Sequence, residues 1–340
     1  MNLIQKSMAT VISVGMAVTM LSGCGASEGK RIIRVGHVQA MDHPVHISMR
    51  AFEDYVEERL GDRYDVEVYP SELLGSATDM VQLCQTGGID FCVASNAILE
   101  AFSENYTLFN LPYLFASEEA YHASMDDPEI MEPIFESTRP AGFESVTWID
   151  SGSRSFYTVD TPIEKPEDLK GLKIRVQPSA TSVEMMRLLG GSATPMGFGD
   201  VYTALQANVI DGSETNELAL TSNGHGEVCK YYCYDMHQMI SDLLIGNCDF
   251  LDSLAPEERK VFDEAFKVAN RVEREEWEKA VEEAVERATN EMGVTFIHPD
   301  KTPFREICEP MHEELLQKNP DLRPIYEKIQ EHNAQAPNDN

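Results

Sequence analysis

Positive charge is scarce in this sequence: 27 Lys and Arg stand against 58 Asp and Glu over 340 residues, a formal net charge of −31. Such an exterior repels phosphate backbones and anionic bilayers, which excludes nucleic acid as a partner. Cysteine is sparse too, and after Cys24 the six others (Cys84, Cys92, Cys229, Cys233, Cys248, Cys308) form no C-x-x-C pair of the kind a zinc or redox site needs. They read as single buried thiols; export would allow a disulfide, but the sequence does not pair them. The phosphate-cradling, dinucleotide, zincin and EF-hand patterns are all missing. His43, His46, His225 and His237 lack the i, i+4 spacing of a metal-binding helix face. Neither a metal, a cofactor nor a catalytic constellation is expected, and no internal repeat redirects the fold.

What is present begins with an export signal. Residues 1–23 carry Lys6 as their only charge, then an apolar run from Met8 to Leu21, too short for a stable spanning helix. The motif Leu21-Ser22-Gly23-Cys24 resembles a bacterial lipobox, which implies cleavage before Cys24 and a lipid on its sulfur, with residues 24–30 as a tether. Gly25 to Gly29 satisfies G-x-S-x-G, but it follows a cleavage site rather than a strand, so it is no nucleophile elbow.

The length suits about two domains with an ordinary core, and the composition of the full chain, 42% hydrophobic and 25% charged, is that of a globular protein. Apolar runs at 31–38, 64–69, 89–95, 173–177, 193–195, 209–215, 231–234 and 241–247 read as strands, separated by helical patterns at 46–60, 76–86, 180–189 and 199–207. This alternation predicts α/β architecture with largely parallel sheets. From Ala255 to Met292 one apolar stripe persists with no Gly or Pro after Pro256, predicting a helix about 50 Å long, too long for one small domain. Its acidic residues from Glu273 to Glu291 are expected to face water. The tail at 328–340, polar with Pro and Asn beyond Asn333, is expected to be disordered.

Against so acidic a background the arginines are informative. Arg154 lies in a strand-like segment and Arg175 inside the apolar strand from Lys173 to Val176, where a charge needs a partner. Either guanidinium suits bidentate capture of a carboxylate, and either suits an internal ion pair with a buried acid. The strand from Val209 ends in Thr215 and Asn216, where open α/β sheets place ligand contacts, and Phe198 offers an apolar wall. A turn or cap is the alternative for Thr215 and Asn216.

LPYLF at 111–115, DLKGLKIRV at 168–176, ATPMGFGDVYTALQANVIDG at 193–212 and the late long helix together resemble the solute-binding proteins of tripartite ATP-independent periplasmic (TRAP) transporters, the DctP family. The resemblance runs from about Ile33 to Tyr326. It implies a two-lobed periplasmic-binding-protein-like fold, with residues 31–152 plus about 241–280 as lobe I and 153–240 plus about 281–327 as lobe II. The long helix would cross both, with the ligand in the cleft between them. In that family the arginine of K-[IL]-R-V bonds the ligand carboxylate, which implies this role for Arg175. The resemblance places Arg154, Phe198, Thr215 and Asn216 around it, with Thr215 standing where members commonly carry Asn. On the first lobe it implies contacts near His43 and Asn96.

The function implied is capture of an organic acid, a sugar acid such as a hexuronate or aldonate, and its delivery unchanged to the membrane permease subunits. C4-dicarboxylates, sialic acid and keto acids are alternatives within that role. A secreted enzyme acting on an acidic sugar and a co-receptor for a sensor kinase are the alternatives outside it. The protein is expected in the cell envelope, a monomer anchored by lipid at Cys24.

Overall fold

The computed structural model describes residues 29–336, so the signal segment and Cys24 lie outside the described residues. Within them the strand and helix alternation builds two mixed sheets. Lobe I holds β1 (Arg31–Gly36), β2 (Tyr64–Tyr69), β3 (Phe91–Ser95), β4 (Phe143–Ile149) and β10 (Asp242–Asn247), in the order β2-β1-β3-β10-β4. Lobe II holds β5 (Ser153–Thr158), β6 (Lys173–Val176), β7 (Ser192–Pro195), β8 (Gly212–Thr215), β9 (Tyr231–Met239) and β11 (Thr295–Ile297), in the order β11-β9-β5-β8-β6-β7.

The expectation of largely parallel sheets needs one correction in each. In lobe I, β10 runs antiparallel to both β3 and β4. In lobe II, β5 runs antiparallel to both β8 and β9. The other neighbours pair in parallel. Connectivity is the reason. β5 follows β4 through Asp150–Gly152, and β10 follows β9 through Ile240 and Ser241, so each reversed strand enters from the opposite lobe. It therefore starts at the cleft, where β3, β6 and β8 end.

The long helix spans Pro256–Asn290, 35 residues. Pro256 occupies its first turn and the Glu258 carboxylate accepts the Ala255 N–H at 2.9 Å, satisfying an otherwise orphan donor. Its first half buries Phe262 and Phe266 among Phe52, Phe91 and Phe250, with Phe52 stacked on Phe266 at 5.7 Å and Phe91 edge-on to Phe250 at 5.5 Å. Its second half buries Ala284 and Ala288 against lobe II. Between them Glu273 departs from the expected solvated face. It is fully buried, and its carboxylate accepts the Asp150 N–H at 2.9 Å. The crossing segment leaves a backbone donor without a sheet partner, and a long side chain from the helix supplies the acceptor.

The C-terminal expectation is also overturned. Residues 328–335 continue a helix over Arg323–Gln335 that packs back on the Glu118–Met125 helix of lobe I. Asn333 is the reason: its amide donates to Leu114 O and accepts the Ala116 N–H, both at 2.9 Å, while His332 bonds Asp127 at 3.1 Å. Residues 337–340 lie outside the described residues.

Gly152, in the first crossing, has φ +59, and a Cβ there would sit 2.9 Å from the Trp277 ring. Gly171 has φ +87 with open space around it. Gly171→Ala is therefore expected to lose only the left-handed penalty, about 1–2 kcal/mol, whereas Gly152→Ala adds a steric clash and loses more. Urea unfolding of both variants checks the order; equal losses would show that Trp277 does not constrain the crossing.

Candidate functional site

The cleft between the lobes encloses a cavity of about 260 Å³ at the ends of β3, β6 and β8 and the start of β10. This is room for one small molecule. The lobes touch across it: Ser95 Oγ donates to Gln177 Oε1 at 3.1 Å, Thr181 Oγ1 to Glu100 at 2.9 Å, and the Gly199 N–H to Glu72 at 3.1 Å.

Both arginines line this cavity, and both are buried. Only one has a carboxylate partner. Phe156 pairs with Glu214 across β5 and β8, so Arg154, two residues back on the same face, lies diagonal to that acid. Arg154 Nε donates to Glu214 Oε2 at 2.6 Å, Nη2 to Glu214 O at 2.6 Å and Nη1 to Thr215 Oγ1 at 3.1 Å. Arg175 Nε and Nη2 instead share one neutral acceptor, Met196 O, at 3.1 and 3.0 Å. Its Nη1 is shielded from solvent and makes no hydrogen bond, and its guanidinium carbon lies 5.6 Å from the centre of the Phe198 ring. Burial, with Arg154 as a like charge nearby, pulls Arg175 down to about 10, and no carboxylate is hydrogen-bonded to it among the described residues.

Behind Arg154 the charges close on themselves. His237 Nδ1 bonds Asp235 at 2.7 Å, and its Nε2 lies 3.5 Å from Glu214. Burial opposes the imidazolium, but Asp235 and Glu214 outweigh it and push His237 up to about 9. Burial likewise opposes the Glu214 carboxylate, yet Arg154 and His237 hold it down at about 2. Two cations and two anions thus neutralise each other without any ligand.

The structure brings Arg154, Arg175, Phe198, Thr215, Asn216 and His43 into the cleft wall. Thr215 spends its hydroxyl on Arg154. Asn216 Oδ1 accepts the Leu218 N–H and Nδ2 donates to Ser151 O in the crossing, both at 3.1 Å. His43 caps the Pro44–Leu60 helix by accepting the Val45 N–H on Nδ1 at 3.2 Å, which leaves the proton on Nε2, and burial holds the ring neutral, near 3. Asn96 is not in the wall; its amide donates to Ser241 Oγ at 3.2 Å in the second crossing, and its neighbour Ser95 lines the cavity instead. Sequence reasoning passed over Gln39, Gln177 and Asp242. Gln177 directly follows β6 and could have been found as a polar residue at a strand's cleft end, whereas Gln39 and Asp242 carry no local signal.

The sequence and fold are similar to known proteins along nearly their whole length. Residues 35–319 match the family model DctP, bacterial extracellular solute-binding protein, family 7. A TRAP periplasmic solute-binding protein from Anaerococcus prevotii, solved with bound D-glucuronate, is 63% identical with a TM-score of 0.90, covering 91% of this chain and 100% of its own. One from Xanthobacter autotrophicus, solved with bound β-D-galacturonate, is 32% identical with a TM-score of 0.84, covering 87% and 98%. The uncharacterized protein YiiZ of Salmonella typhimurium is 40% identical over 304 residues, 89% of this chain and 92% of its own.

The two arginines should separate in stability. Arg154→Ala strands Glu214 as a buried charge and is expected to lose about 3–5 kcal/mol; Arg175→Ala leaves only a carbonyl unpaired and is expected to lose about 1–2 kcal/mol. Chemical denaturation without ligand measures both, and equal losses would contradict the division. A second expectation concerns pH. A histidine raised above its ordinary 6.5 gives stability that is full below 6.5 and lost as pH rises through about 9. His237→Gln should lack that alkaline decline, so the stability difference between wild type and variant is expected to shrink as pH rises from 6.5 through about 9; a difference that does not change with pH would show that His237 carries no proton in the folded state.

Proposed function

Because the chain belongs to the DctP family of bacterial extracellular solute-binding proteins, family 7, we propose that it captures a hexuronate for a TRAP permease through a carboxylate bond to Arg175. The observation carrying this reading is the unpartnered Arg175 Nη1 in the wall of a single-molecule cleft. A carboxylate there would pair the cation, and closure around it would strengthen the bond by excluding water. The apolar face of a pyranose ring suits Phe198. The relatives with bound D-glucuronate and galacturonate support the sugar-acid class. As in a solute-binding family, the ligand would be delivered unchanged.

In this reading the lobes follow the two sheets, and the segments at Asp150–Gly152 and Ile240–Ser241 with the long helix form the hinge. Asn216 and Asn96 act at that hinge rather than on the solute, since each bonds a crossing segment. The lipobox ending at Cys24 would hold the exported protein at the outer face of the cytoplasmic membrane, next to its permease, as a monomer.

Calorimetric titration with D-glucuronate tests the proposal. Wild type is expected to bind, Arg175→Ala to show no measurable heat while still melting cooperatively, and Arg175→Lys to bind poorly, because a point charge does not replace the planar fork. Tight binding by Arg175→Ala would overturn the carboxylate role.

A further inference from the structure

Polar groups left without partners in the cleft are not confined to Arg175. Asp242 opens β10, with its Cα opposite Ser95 of β3 and Ile149 of β4, so the reversed strand delivers a carboxylate to the cleft end of lobe I. It lines the cavity and is buried to 8% exposure. Its carboxyl accepts no hydrogen bond among the described residues. The nearby cation gives it none: the hydrogen bonds of Arg154 run to Glu214 and Thr215. Gln39 Oε1, also in the cavity wall, is a buried acceptor without a donor, while the Asp242 carboxyl faces the cavity itself. Among the described residues no donor reaches either acceptor. A buried acceptor left unpaired is costly, so the solute has to bring O–H or N–H groups as well as an anion.

We infer that Asp242 is a specificity-determining residue that accepts hydrogen bonds from hydroxyl groups of the bound acid, so that the cleft recognises polyhydroxylated acids rather than bare carboxylates. This rests on the solute-binding reading above. The site then divides its chemistry between lobes: Arg175 on lobe II takes the carboxylate, and Asp242, with Gln39, takes hydroxyls from lobe I. A ligand meeting both demands joins the lobes, while an acid lacking hydroxyls satisfies one lobe and leaves acceptors unpaired on the other. Burial, opposed by Arg154, raises Asp242 to about 6, consistent with a carboxyl that lacks donors in the free protein.

The test compares D-glucuronate with cyclohexanecarboxylate, which keeps a six-membered ring and the carboxylate but has no hydroxyl, by NMR titration at neutral pH. Wild type is expected to bind D-glucuronate at least 100-fold more tightly, on the order of two lost charged hydrogen bonds. Asp242→Asn is expected to weaken D-glucuronate by about 10- to 100-fold and to change cyclohexanecarboxylate by less than about 3-fold. Equal loss for both ligands would make Asp242 structural, and an unchanged D-glucuronate affinity would remove it from the site; either result overturns the inference. Should Asp242→Asn fail to melt cooperatively, Asp242→Ser replaces it under the same criteria. Wild type that is folded yet binds neither acid would instead sink the hexuronate reading itself, and wild type that binds both equally would sink this inference alone.

Discussion

A buried cation requires a counter-charge, and this cleft holds two guanidinium groups with one internal carboxylate committed to them. Glu214 takes Arg154, and the ring of His237 and Asp235 completes a neutral set that needs nothing from outside. Arg175 is left with a carbonyl oxygen and a free N–H. The difference originates in strand register: Arg154 sits diagonal to Glu214 across β5 and β8, while Arg175 on β6 pairs with Thr194 of β7, which offers no acid. One arginine is therefore tied into the fold by an internal acid, and the other is left without a bonded carboxylate.

The fold supplies the surroundings that give this deficit a use. Strands ending at the cleft bring Ser95, Arg175 and Thr215 together, and the two reversed strands begin there with Arg154 and Asp242 in their first two positions. The same reversal places the chain crossings beside the cavity. Each crossing is tied down by a buried polar group, Glu273 and Asn216 at the first and Asn96 at the second. In the proposed hinge, movement would fall on these short segments and the long helix, next to the place where a solute would bridge the lobes.

Much of this was legible in the sequence because it rests on periodicity. The strand and helix alternation and the unbroken apolar stripe of the long helix gave the α/β class and a helix spanning two bodies. The arginines could be singled out because cations are few and two fall in apolar strands. Their division could not be read, since it depends on which residue lies diagonal to Arg154 across β5 and β8, sixty positions away. Asp242 and Gln39 were missed for the same reason: neither carries a local pattern, and both matter only once β10 is threaded between β3 and β4. Glu273 was misread because its spacing matches the solvated face of the helix, and only the unpaired Asp150 N–H draws it inward. At the C-terminus, composition pointed to disorder, whereas two backbone groups needing partners were met by Asn333.

The central claim is that the free valence of Arg175, and not Arg154, receives the carboxylate of the solute. A crystal structure of this protein with D-glucuronate tests it most directly. The account predicts a ligand carboxylate oxygen within hydrogen-bond distance of Arg175 Nη1, about 2.7–2.9 Å, with the Arg154–Glu214 pair undisturbed. A carboxylate seated on Arg154 with Glu214 displaced, or a ligand that leaves Arg175 Nη1 unpaired, would contradict it.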